Sequence, residues 1–121
     1  MTDRVKTVAF LKRKAGMAHA DFVAYYESRH APLILSITPQ IVGYRRNYPF
    51  HPGAIVAPGQ PPPDFDVVTE LYYADQAGFA AALSAFTAPD NAARIASDEE
   101  NLFDRSKTRF YIVEELASRL T

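Results

Sequence analysis

Three short segments of this chain carry apolar side chains on both of their alternating faces, and that pattern limits the fold more than any other feature. In Val5–Lys12, Val5, Ala9 and Leu11 oppose Val8 and Phe10; in Asp66–Tyr73, Val67 and Leu71 oppose Val68 and Tyr72; in Lys107–Glu114, Phe110 and Ile112 oppose Tyr111 and Val113. β-branched and aromatic residues at this density predict strands. A sheet with one wet face alternates apolar and polar residues, so strands like these require that both faces of their sheet be covered. A further strand is predicted over Ile41–Tyr48, with Val42, Tyr44, Arg46 and Tyr48 on one side and Ile41, Gly43, Arg45 and Asn47 on the other.

The first strand ends in Arg13–Gly16, a charged turn. A helix then begins near Ala18 or His19, without a side-chain acceptor at its N-terminus but with Asp21 in the first turn. Phe22, Tyr26 and His30 fall at i, i+4 and i+8 and share one face of it. Pro32 disfavours the α conformation at Ala31, so the helix is predicted to stop within a residue of His30, leaving Leu33–Thr38 as an apolar connection. Residues 49–64 hold six of the nine prolines and predict a long irregular excursion, mobile or in contact with a partner. Asp75 caps a helix running from Ala77 to Phe86, Pro89 opens a second short helix through Ala96, and Asp98–Asp104 reads as an acidic connection.

The order is β-α-β-β-α-β, an α+β, ferredoxin-like arrangement: one domain over residues 1–121, with two helices on one face of a four-stranded antiparallel sheet. No helix remains for the other face. A second copy of the same sheet is the simplest cover, which predicts a homodimer packed face to face.

The absence of Cys removes disulfides, thiol nucleophiles and thiolate metal sites and fits a reducing cytoplasm. Residues 1–6 contain no apolar signal region and no run is long enough to span a membrane, so a cytoplasmic protein without a membrane partner is expected. A formal net charge of −1 with no long basic run gives no footprint for nucleic acid. No phosphate-binding glycine pattern is present, and His19, His30 and His51 lack metal-ligand spacing, so neither metal nor tightly bound cofactor is expected.

His30 sits where the predicted helix ends. The negative end of the helix dipole favours the imidazolium there, while desolvation by aromatic neighbours opposes it. Capping a carbonyl accounts for such a residue equally well. About 80° round from Phe22, His30 is expected at the half-buried edge of the apolar stripe. Asp98 and Glu99 follow a predicted helix end, where a bare carboxylate is unfavourable; His30, Arg45 and Arg46 are the candidate cations. A carboxylate on the imidazole would fix its tautomer, as in histidines that move protons. Glu70, inside an apolar strand, is expected to meet an arginine or a tyrosine.

Arg13-Lys-Ala-Gly-Met, Phe22-x-x-Tyr25-Tyr26-x-x-x-His30-Ala-Pro-Leu33, Gly43-Tyr44-x-x-Asn47-Tyr48, Asp66-Val-Val-Thr-Glu70-Leu-Tyr-Tyr, Ile95-x-x-Asp98-Glu99-x-x-x-Phe103-Asp104 and Val113-Glu114-Glu115 together resemble the EthD domain, over about residues 4 to 115. The resemblance implies a dimeric α+β barrel, a superfamily that includes cofactor-free monooxygenases, muconolactone isomerases and polyketide cyclases. Ala18, Tyr26 in place of a common tryptophan, and the long proline-rich insert depart from the family pattern.

Residue chemistry and resemblance together lead to a small-molecule enzyme. His30 and Asp98 are its candidate catalytic residues, and Phe22, Tyr26, Leu33, Tyr44, Arg46 and Phe103 its candidate substrate contacts. The substrate class is a flat hydrophobic, aromatic or polyketide-like compound undergoing cyclisation, isomerisation, dehydration or cofactor-free oxygenation. The alternative is a non-catalytic ligand-binding or accessory dimer built around the same cleft.

Overall fold

The structure, a computed structural model, describes residues 4–49 and 55–120. Its elements are β1 (Val5–Arg13), α1 (His19–Tyr25), a π-helical turn (Tyr26–His30), α2 (Ala31–Ile37), β2 (Ile41–Asn47), β3 (Val67–Tyr73), α3 (Gln76–Thr87), α4 (Pro89–Glu99) and β4 (Phe103–Val113). The sheet is antiparallel throughout, in the order β2-β3-β1-β4. The most apolar strands, β1 and β3, are thus central, and the polar β2 takes an edge. Helices cover one face, burying Thr7, Ala9, Leu11, Val67, Thr69, Leu71 and Tyr73. This is the ferredoxin-like α+β fold expected from the element order. No helix among the described residues is long and apolar enough to cross a membrane.

The first helix does not stop at Pro32. It passes through the π turn, in which the Ala31 N–H bonds the Tyr26 carbonyl, and continues as α2, with Pro32 among its first residues. A wide i→i+5 turn is one way a helix absorbs a disruption of its hydrogen-bond ladder, and Pro32, lacking an N–H, supplies one. Leu33–Ile37 is therefore helix, not connection.

Two edge-strand expectations also change. A bulge between Ile41 and Gly43 turns Ile41 onto the Tyr44 side, where both pack against Leu71, Tyr73 and Phe79. β4 begins at Phe103, four residues before Lys107, because Phe103 and Asp104 pair with Arg13 and Lys12 despite their polar context. α4 runs on through Asp98 and Glu99, which occupy its last turn. Asp75 caps α3 as expected, its Oδ1 accepting from the Gly78 N–H at 2.7 Å.

On the other sheet face Glu70 bonds Lys6 at 2.7 Å and the Asn47 amide at 3.0 Å; the arginine anticipated, Arg45, stands opposite it in the β2–β3 ladder and acts on it through its charge without a direct ion pair. Around this pair Val8, Phe10 and Val68 are half-buried and Tyr111 exposed. Phe65, at the end of the proline-rich segment, packs edge-on against Phe10 at 5.4 Å. Residues 50–54 of that segment lie outside the described residues, while Ile55 and Val56 are exposed.

Candidate active site

Tyr26, His30 and Ile34 stand one above another along the π turn and the start of α2, all turned toward the sheet. Because the wide turn closes over five residues, side chains four apart come almost into line; the rings of Tyr26 and His30 meet edge to face at 5.1 Å. His30 is consequently only 4% exposed, deeper than the half-buried edge predicted for a regular helix. Phe103 flanks it on another side, ring to ring at 5.3 Å.

The polar partner of His30 is Asp98, whose Oδ2 lies 2.8 Å from Nδ1. A carboxylate accepts hydrogen bonds only, so Nδ1 carries the hydrogen and Nε2 of the neutral ring is left as an acceptor. The other oxygen, Oδ1, accepts from the Tyr25 hydroxyl at 2.7 Å, and Asn101 donates to that hydroxyl at 3.3 Å. Asp98 is thereby fixed on both oxygens. Of the cations considered for this carboxylate, His30 takes it. Arg46 is committed elsewhere, donating to both oxygens of Glu27 at 2.5 and 2.9 Å, and Arg45 stacks over Tyr72 at 5.6 Å.

Beneath His30 lies a partly open cavity of about 380 Å³ between the sheet and the helices. Its walls are mainly apolar: Ala9, Leu11 and Leu71 from the sheet, Ile34 from α2, Leu83 and Phe86 from α3, Ala92, Ile95 and Ala96 from α4, and Phe110 from β4. Tyr26, His30, Tyr44, Thr69, Glu99, Arg105 and Thr108 are its polar members.

Three of these form a chain, with the Tyr26 hydroxyl 2.7 Å from Thr69 Oγ1 and 3.0 Å from the Tyr44 hydroxyl. Three hydroxyls hold three hydrogens and two bonds use two, so whichever way the chain runs one O–H remains to donate. Burial pushes the Tyr26 and Tyr44 phenols upward from their ordinary range, so both keep their protons at neutral pH. The cavity thus presents a hydroxyl donor and, at His30 Nε2, a nitrogen with no partner among the described residues.

Glu99, next to Asp98, faces the cavity, whereas Asp98 lies on the outer side with Leu33 and Asn101. Burial raises its carboxyl above the usual range, and His30 and Arg105 pull it back. Arg105 Nε lies 3.3 Å from Glu99 Oε1.

Of the sequence-predicted residues, His30, Tyr26 and Tyr44 line the cavity, and Asp98 stands behind the imidazole. Phe22 and Phe103 are buried in the adjoining core, where they set the rings of Tyr26 and His30 without lining the cavity. Leu33 falls on the outer side, beside Ala93, Asp98 and Asn101, since the continued helix turns Ile34 inward instead. Arg46 touches the cavity only through Tyr44, whose ring it covers at 4.6 Å. Sequence reasoning missed Ile34, Arg105 and the α3 wall. The apolar spacing Ala82, Leu83, Phe86 would have indicated the last; nothing local marks Arg105.

The EthD domain family model matches residues 14–106. An EthD-like protein from Ralstonia eutropha superposes with a TM-score of 0.67 at 22% identity, covering 98% of this chain and 97% of its own. SnoaB from Streptomyces nogalater, a cofactor-independent oxygenase, gives 0.62 at 16% identity, with 97% of each chain covered. A Dabb family protein with a ferredoxin-like fold from Mesorhizobium loti gives 0.56 at 14% identity, covering 94% of this chain and 98% of its own. Among curated proteins none matches the sequence. At these identities the superpositions speak for the fold, and the match across most of its length identifies the chain as a member of the EthD domain family.

Proposed function

We propose that the protein is a small-molecule enzyme that uses His30 as a proton-transfer group, without a tightly bound cofactor, on a flat hydrophobic compound of aromatic or polyketide type. The observation that carries this reading is the His30–Asp98 pair: Nδ1 held at 2.8 Å by the carboxylate and Nε2 left for a ligand in an apolar cavity. Next to a carbonyl, a C–H proton would pass to Nε2 while its electron pair forms the C=C bond of an enolate and the C=O π pair moves onto the oxygen. There the spare O–H of the Tyr26–Tyr44–Thr69 chain donates to the developing negative charge. Isomerisation, cyclisation, dehydration and cofactor-free oxygenation can all start from such an enolate. The likeness to SnoaB, whose structure is described as that of a cofactor-independent oxygenase, supports the last as one member of that set.

The active form in this reading is a homodimer. Val8, Phe10, Val68 and Tyr111 form an apolar patch on the helix-free sheet face, beside the opposite charges of Lys6 and Glu70, so that a second copy can match it in both respects.

Deuterium exchange at the α-carbon of an aryl ketone such as 2-acetylnaphthalene tests the chemistry. Exchange should exceed the buffer rate in the wild type and fall roughly a hundredfold in His30→Gln. Binding without accelerated exchange would instead favour a ligand-binding or accessory role.

A further inference from the structure

We infer that Arg105 recognises an acidic group, a carboxylate or an ionised enol or phenol, on the ligand that the cavity takes; this rests on the ligand-binding reading given above. The placement of Arg105 is the first support. Between the pairs Phe10–Arg109 and Lys12–Asp104, β1 advances two residues and β4 five, so residues 105–108 bulge from the ladder. Asp104 Oδ1 holds the bulge by accepting from the Ser106 N–H at 3.1 Å and its hydroxyl at 2.6 Å. Bulges re-aim side chains, and this one brings both Arg105 and Thr108 to the cavity.

The second support is unused hydrogen-bonding capacity. A guanidinium has five N–H donors, and among the described residues Arg105 is paired only with Glu99, its Nε 3.3 Å from Oε1. The two Nη groups have no partner among the described residues, and they form the planar fork that fits a carboxylate. A simple surface ion pair would account for the Nε contact alone. It would not account for an arginine in a mainly apolar wall, where Arg105 is the one permanent cation among the described lining residues. Half-exposed beside a buried His30, Arg105 marks the mouth of the cavity, so a ligand would place its acidic group outward and its reacting carbon inward.

Binding of 2-naphthoate and 2-naphthamide, alike in shape and different in charge, tests this by NMR titration of wild type and Arg105→Gln. The wild type should prefer naphthoate by roughly tenfold or more, the range of a charge-assisted hydrogen bond. Arg105→Gln should bring the two ligands within about twofold, chiefly by weakening naphthoate. Naphthamide binding with shifts at His30 and Ile95, but no naphthoate preference or one that survives Arg105→Gln, would overturn the inference alone. Failure of both ligands to shift those resonances would remove the ligand-binding reading and this inference with it.

Discussion

Replacing Tyr26 with Phe removes one oxygen and should destabilise the fold more than a count of lost bonds suggests. Tyr26 is 1% exposed and Thr69 4%, with their oxygens 2.7 Å apart. The substitution deletes the bonds to Thr69 and Tyr44, each contributing about 1 kcal/mol net. It also leaves the Thr69 hydroxyl buried without a partner, adding about 1 kcal/mol more, for a total of about 3. Tyr44 escapes that penalty because it is only half-buried, so its hydroxyl can find water where that of Thr69 cannot. Thr69→Val deletes one bond and orphans nothing, since Tyr26 retains Tyr44, and should cost about 1 kcal/mol. The double variant loses both bonds but has no orphan, so its cost should be about 2 kcal/mol, where simple addition gives about 4. Urea unfolding of all four proteins, followed by circular dichroism at one fixed protein concentration, supplies the cycle. A double-variant cost equal to the sum of the singles within about 0.5 kcal/mol would show that the three hydroxyls do not act as a unit.

Two further outcomes follow from charges and surfaces. The Arg46 hydrogen bonds hold Glu27 below the usual carboxylate range, so its contribution is present above the ordinary glutamate value and lost as pH falls through the lowered one. Wild type should therefore lose stability relative to Glu27→Gln on acidification below about pH 4.5, by about 1 kcal/mol or less because the Glu27 side chain is 40% exposed. Light scattering at micromolar concentration should give twice the chain mass for wild type and the single mass for Tyr111→Glu; a wild type at single mass would remove the dimer from the functional reading.

The four strands were legible because their composition leaves little else for them to be, and α3 because Asp75 and Pro89 bracket it with a cap and a start signal. The eye is misled where one residue carries two meanings. Pro32 forbids an ordinary helical hydrogen bond, yet a chain can answer that by widening a turn as well as by ending the helix, and only tertiary packing of Ile34 and Ile37 selects between them. The acidic stretch after Ala96 looked like loop because helix C-termini disfavour carboxylates. Asp98 stays helical there since His30 and Tyr25 supply its partners from 68 and 73 residues away. That pairing could be anticipated as one of three; its exclusivity could not. Arg105 was invisible for a different reason. Its position depends on slippage between two strands whose register no local sequence encodes.

The widened turn at Tyr26–His30 also gives the helix the character of a gear with one extra tooth. Closing it to ordinary α geometry at the same length would let α1 run into α2 as an unbroken helix, and every side chain downstream would rotate by about 100°. Ile34 would swing off the cavity and the α2 face that packs on the sheet would be lost, while Phe22 and the upstream turn stayed in place. Loss of one residue within the turn, which removes what the widening absorbs, can thus leave Ile34 on the cavity, whereas a further inserted residue would turn it away. The widening between Tyr26 and Ile34 is in that sense as much a determinant of the cavity as any residue that lines it.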